Sequence, residues 1–335
     1  MTHLLEPLQA SSLTLHNRLI MPPMATAKSE EDGGISQAVL DYYQEKSNGG
    51  YFSLIIIEHS FINPKGKASK NQLSVADDHV LEGLRSLAEV IHDNGSKTVM
   101  QINHAGSATT QEIIGDTPVG PSPVPHPRNG NPPKELTKQE IAGIVQSFQD
   151  AARRVKEAGF DGVEIHSAHG YLLNQFFSPL TNKRTDEYGG TIHNRIRLHL
   201  QVIEAVRAAV GNDFPILLRL GASDYKEGGI TIEDSQIAAK EFEKAGISIL
   251  DISGSFLGYT SPITSEQGYF SPLTEAVKKV VSIPVILTGG VTESLAAEQL
   301  LVAEKADLIG VGRAVFKNSQ WAKQAIKTLV TVSPN

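Results

Sequence analysis

Two histidines and a tyrosine, His166, His169 and Tyr171, lie close together at the end of the apolar run GVEIH (162–166) and just beyond it. A strand-to-loop turn at that point can place two ring N–H donors and one phenol over a single spot. Other apolar runs also end in polar residues: Gln101 and Asn103 close TVMQI (98–102), and Arg219 sits in ILLRL (216–220). Period-two alternation puts Glu164 and His166 on one face of their strand. Any one of these residues alone reads most simply as a core polar group satisfied by backbone. Their joint occurrence at the ends of several runs reads as a site. A metal centre of two histidines and one carboxylate is the competing reading, but Glu164 lies two residues earlier on the strand and lower than the histidines.

Glycines near the end of the chain complete the set. LTGG (287–290) and GVGR (310–313) each follow an apolar run. Without side chains, their backbone N–H groups can approach a phosphate, to which Arg313 would add charge. Tight turns are the alternative use of such glycines. A phosphate pocket combined with Gln101 and Arg219, both able to hydrogen-bond the edge of a pyrimidine-like ring, suggests a phosphorylated heterocyclic cofactor. FMN fits that description.

The elements that must carry these residues are regular. RLIM (18–21), LIII (54–57), TVMQI (98–102), GVEIH (162–166), ILLRL (216–220), SILDIS (248–253), PVILT (284–288) and DLIGVG (307–312) read as buried parallel strands. Amphipathic segments separate them. The clearest helix starts at a Thr137-x-x-Glu140 capping box, lines Ile141, Ile144, Val145, Phe148 and Val155 along one face, and stops at Gly159. Strands alternating with helices, without a composition break, predict one α/β domain over 1–335, a closed (β/α)8 TIM barrel. In such a barrel the site lies at the C-terminal ends of the strands, where these polar residues fall. The segment 4–17 is expected to form a hairpin closing the barrel floor. The Gly/Pro-rich span 105–136 is expected to form a long lid after strand three.

Composition excludes several functions. The 335 residues carry a formal charge of -7, which argues against a nucleic acid or an anionic membrane as partner. With no cysteine there is no disulfide, thiolate metal site, cysteine-ligated iron–sulfur cluster or catalytic thiol. No signal-peptide pattern opens the chain and no run reaches the ~18 consecutive apolar residues of a membrane helix, so a cytoplasmic location is expected.

The stretch VEIHSAHGYLLNQFFSPLTNKRTDEYGG (163–190) with NRIR (194–197) resembles the signature of the Old Yellow Enzyme family of NADH:flavin oxidoreductases. NRLIMPPM (17–24), MQINHAG (100–106), LLRLGASDY (217–225) and GVGRA (310–314) resemble further blocks of that family at matching strands. The resemblance implies FMN, with NADPH or NADH as reductant and a small electron-poor alkene, such as an enone, as substrate. It implies Pro23, Met24, Ala25 and His59 against the flavin, His59 through its backbone. Gln101 and Arg219 would lie at the pyrimidine edge, and Gly289, Gly290, Gly312 and Arg313 around the phosphate. His166 and His169 would bind the substrate carbonyl and Tyr171 would protonate the α-carbon. Because reductant and substrate would stack on one flavin face, ping-pong kinetics is expected.

Departures from the family pattern matter too. Ala25 stands where many members have Cys or Thr, and Thr26 next door is the expected compensation. Ala27 replaces a tyrosine found in a related bacterial group, and Ser107 an arginine. Two other functions are weighed. A tRNA-uridine-reducing barrel ordinarily uses a cysteine acid and a basic surface, and this chain has no cysteine. A flavin-binding sensor or store for phenolic ligands would have no need of His166, His169 and Tyr171 together.

Overall fold

Eight short strands close into a parallel barrel in the computed structural model, which describes residues 2–332 apart from 255 and 257. The strands are β1 (Leu19–Met21), β2 (Leu54–Phe61), β3 (Lys97–Asn103), β4 (Gly162–Ser167), β5 (Ile216–Gly221), β6 (Ile249–Ser253), β7 (Val285–Thr288) and β8 (Leu308–Gly310). Each pairs with its neighbours in sequence, and Ile309 of β8 lies beside Leu19 of β1 to close the ring. The outer helices are α1 (Gln37–Ser47), α2 (Leu81–Asp93), α3 (Lys138–Glu157), α4 (Arg197–Val210), α5 (Ile232–Lys244), α6 (Ser271–Lys278), α7 (Ser294–Val302) and α8 (Trp321–Val332). The (β/α)8 barrel expected from the alternation is therefore present. None of the helices is long and apolar enough to cross a membrane among the described residues.

Helix α3 illustrates how the local sequence sets an element. The Thr137 side chain accepts from the Glu140 N–H while the Glu140 carboxylate accepts from the Thr137 N–H, so two donors that the first turn leaves open are both satisfied. Ile141, Ile144, Phe148, Ala151, Ala152 and Val155 are buried against the barrel and the neighbouring helices. Ala158 caps the end, and Gly159 takes the left-handed φ of +88° that terminates the helix.

Strand alternation divides the core in two. Odd-layer residues such as Leu19, Ile55, Met100, Ile165 and Leu218 face the helices. Ile20, Leu54, Ile56, Val99, Leu217, Ile249, Ile286 and Leu308 face inward and pack together with Ala10, Leu13 and Leu15. Those last three come from the N-terminal hairpin, Leu8–Ala10 paired with Leu13–Leu15, which closes the floor as its position suggested.

Strand β2 runs further than its apolar sequence indicates. It continues through Glu58, His59 and Ser60 to Phe61, with a register shift against β3 between Ile57 and Ser60. The polar pair hides the continuation from a hydrophobicity reading, and the irregularity re-aims the His59 side chain. The span after β3 holds a short helix, Gln111–Ile114, and two short parallel strands, Val119–Gly120 and Lys134–Glu135. It is anchored by buried Arg184, whose Nη1 donates to the carbonyls of Pro121 (3.1 Å) and Leu136 (2.7 Å) while its other edge meets Asp186.

Leu15 is fully buried between hairpin and barrel. Leu15→Ala should lower unfolding free energy by about 2–5 kcal/mol in urea titration, the usual range for a buried leucine. A loss under about 1 kcal/mol would mean that the hairpin does not contribute to the floor.

Candidate active site

Above the aliphatic floor the inward positions become polar. Arg219 of β5 and Asp251 of β6 are side by side in the ladder, with Nε and Oδ2 3.2 Å apart and both side chains buried. The Asp251 carboxylate also accepts from the Thr288 hydroxyl at 2.9 Å. One register away, Gln101 of β3 lies beside Glu164 of β4, and its Nε2 donates to the carboxyl at 2.7 Å. Burial raises both carboxyl groups above their ordinary range. On Asp251 the Arg219 guanidinium and the Thr288 hydroxyl act in the opposite direction, favouring its charged form. Glu164, pushed up to about 8 by burial and then by the Asp251 carboxylate, holds the proton.

A cavity of about 300 Å³ opens over this layer. Its lining contains Pro23, Met24, Ala25, His59, Gln101, His166, His169, Tyr171, Arg219, Gly289, Gly290, Gly312 and Arg313, while Asn103 and Glu164, also singled out from the sequence, lie outside it. Along one wall four rings gather. His166 and His169 are 5.1 Å apart between centroids, His166 and Tyr171 5.2 Å, and His59 stacks on Tyr171 at 5.3 Å. The turn that gathers them is left-handed at two consecutive residues, His169 (φ 59°) and Gly170 (φ 75°). Asn174 and Gln175 hold it, through bonds to the Gly170 N–H (2.8 Å) and carbonyl (2.7 Å). Burial pushes His166 and His169 well below their ordinary range, with Arg219 adding to the effect, so both rings are neutral near pH 7. The His169 Nε2 faces the Ser253 hydroxyl at 2.8 Å, and the His166 Nδ1 has no hydrogen-bond partner among the described residues.

At the opposite end Arg313 donates to the Tyr269 hydroxyl at 3.0 Å, and that hydroxyl donates to the Tyr259 carbonyl at 2.7 Å. A Cβ at Gly312 would meet the Met24 sulfur at 2.8 Å. At Gly290, φ of 75° and the Tyr269 ring already require glycine, so packing alone accounts for that residue.

One expectation is corrected. The Thr26 hydroxyl donates to Glu58 Oε1 at 2.6 Å and its N–H to Oε2 at 2.8 Å, so Thr26 cannot compensate for Ala25. His59 lines the cavity, its ring stacked on Tyr171, with Nδ1 facing the Gln72 amide at 2.8 Å. Asp251, Tyr259 and Tyr269 were missed. Asp251 carried the available signal, a charge at an inward position of an apolar strand. Glu164 lies beneath the histidines, bonded to Gln101, and among the described residues no three acidic or histidine side chains gather as a metal-binding group.

Residues 3–331 match the model of the NADH:flavin oxidoreductase / NADH oxidase family. The chain belongs to this family, that of Old Yellow Enzyme. It is 44% identical over 320 residues to an NADH oxidase of Thermoanaerobacter brockii, covering 94% of this chain and 49% of that protein. It is 38% identical to an NADPH dehydrogenase of Bacillus licheniformis, covering 98% of this chain and 95% of the relative. The chain thus spans about half the length of the first relative and nearly all of the second. Among solved structures it resembles morphinone reductase in complex with tetrahydroNAD, with a TM-score of 0.85, 27% identity, and coverage of 97% of this chain and 91% of the other. An Old Yellow Enzyme homologue from Zymomonas mobilis matches with a TM-score of 0.82 and 26% identity over 97% of this chain and 92% of the other. Membership and these relatives support FMN as cofactor with NADH or NADPH as reductant. The donor set fits: a guanidinium among glycines at one end of the cavity, an amide and a buried guanidinium ion-paired with Asp251 at the other.

The raised Glu164 has a consequence for stability. A carboxyl whose folded-state value lies above its ordinary 4.5 stabilises the fold fully below that pH and loses the contribution as pH rises towards about 8. Glu164→Gln mimics the neutral acid and should flatten the fall in Tm between pH 5 and 8. An unchanged slope would place the proton elsewhere.

Proposed function

We propose that this chain is an ene-reductase that takes hydride from NADH or NADPH and reduces the C=C bond of α,β-unsaturated carbonyl compounds. Both would use one pocket in turn, in a ping-pong sequence. The convergence of His166, His169 and Tyr171 on the cavity that also presents Gln101, Arg219 and Arg313 carries this reading. When bound, FMN would supply hydride acceptance from the nicotinamide and hydride donation to the alkene. The whole of the 335 residues would act as one unit on small molecules in the cytoplasm.

The protein's own groups divide the remaining work. Gln101 and Arg219 would hold the pyrimidine edge, where a fixed guanidinium offsets the negative charge that reduction brings without having to reorganise. Pro23, Met24, Ala25 and His59 would border the ring system, while Gly289, Gly290, Gly312 and Arg313 would hold the phosphate. His166 and His169 are neutral, so they would offer N–H donors to a carbonyl oxygen without placing a buried cation beside the substrate. Those bonds draw electron density from the β-carbon. Tyr171 remains as the group able to protonate the α-carbon.

Purified protein should contain non-covalent FMN, identified by mass spectrometry of the released cofactor, and Arg313→Ala should weaken its retention. FAD, or no flavin in the holo-protein, would contradict the assignment. Stopped-flow kinetics tests Tyr171. Tyr171→Phe should leave anaerobic flavin reduction by NAD(P)H nearly intact while slowing reoxidation by cyclohexenone about 10²-fold, the scale for losing a positioned acid. Equal slowing of both half-reactions, or of neither, removes Tyr171 from that role.

A further inference from the structure

The span between β3 and α3 lays a cation over the wall of rings. Arg128 Nη2 donates to the His169 carbonyl at 3.0 Å, and its guanidinium carbon lies 5.9 Å from the centroid of the Tyr171 ring. The two contacts bracket His169 and Gly170, the consecutive left-handed residues that aim Tyr171 into the cavity. A non-glycine residue holds such a conformation only where its surroundings over-determine it, and Arg128 is one of the groups that do so.

The chemistry assigned to Tyr171 makes that cation useful. A phenol that gives up its proton becomes a phenolate, and this one is enclosed between His59 and His166. Burial raises the Tyr171 phenol above its ordinary range, which makes it a poorer acid; Arg128, by charge and hydrogen bond, acts in the opposite direction. The surrounding imidazoles cannot replace it. His59 is pushed down to about 4 by burial, and His166 and His169 are likewise neutral.

We propose that Arg128 is the positioning residue that lets Tyr171 serve as an acid, fixing the His169–Tyr171 turn and offsetting the negative charge left on the phenol oxygen. This rests on Tyr171 being the proton donor. In the step, the O–H bond breaks with its electron pair left on oxygen, and the enolate pair forms the new C–H bond at the α-carbon. Water then returns a proton to the phenolate. The span after β3 would thereby contribute charge to the chemistry as well as cover.

Arg128 is exposed, so its substitution should not unfold the protein. Stopped-flow reoxidation by cyclohexenone is compared for Arg128→Gln, Arg128→Lys, Tyr171→Phe and the Arg128→Gln/Tyr171→Phe double variant. Arg128→Gln should slow reoxidation roughly tenfold and enlarge its solvent isotope effect, with flavin reduction by NAD(P)H unchanged. Arg128→Lys should restore most of the rate. In the Tyr171→Phe background, Arg128→Gln should cost nothing further, since both changes would remove one function. A parental rate in Arg128→Gln, or the same further loss in the Tyr171→Phe background, would overturn the proposal. A Tyr171→Phe variant reoxidised at the parental rate would overturn the proton-donor reading itself, so the two failures are told apart.

Discussion

A guanidinium sealed inside a barrel must be neutralised where it stands, because removing an ion from water costs several kcal/mol unless a partner is fixed beside it. Arg219 has that partner in Asp251, which takes the Thr288 hydroxyl in turn. Gln101 and Glu164 complete the layer from the adjoining strands. Polar groups from five consecutive strands, β3 to β7, thus lie above a floor of aliphatic side chains, Gln101 bonded to Glu164 and Arg219 linked through Asp251 to Thr288. The boundary between the two determines where the cavity can begin. It also explains why Glu164 holds a proton: one guanidinium suffices for one carboxylate, and the second carboxyl is easier to bury neutral.

The longest family-like stretch is as much architecture as chemistry. Only His166, His169 and Tyr171 within 163–190 line the cavity. Asn174 and Gln175 lock their turn, and Arg184 with Asp186 ties down the span after β3. Farther on, Arg195 donates to the Phe177 carbonyl and pairs with Asp234 on α5. Conformations as confined as His169 and Gly170 persist because neighbours on several sides hold them.

Much of this was legible from the residues. The eight strands announced themselves as apolar runs, α3 by its capping box, and the polar groups of the site by ending those runs. What escaped depended on pairing across space. Thr26 looked available until Glu58 took its hydroxyl. His59 lies within the irregular stretch between Ile57 and Ser60, which hydrophobicity does not register. Arg128 meets His169 and Tyr171 only because a long span folds back, and nothing in either local sequence records that meeting.

The closed ring also imposes an order of assembly. The hairpin at residues 8–15 plugs a barrel whose last strand is Leu308–Gly310, and His3 and Leu4 offer their N–H groups to Glu298 on α7. Chain emerges from a ribosome N-terminus first. The first barrel strand, with its aliphatic face and open edge, must therefore wait until residues 308–310 have been made for the partner that completes it. The barrel strand made first is thus among the last to be paired on both edges, and an open edge is a site of aggregation during that interval.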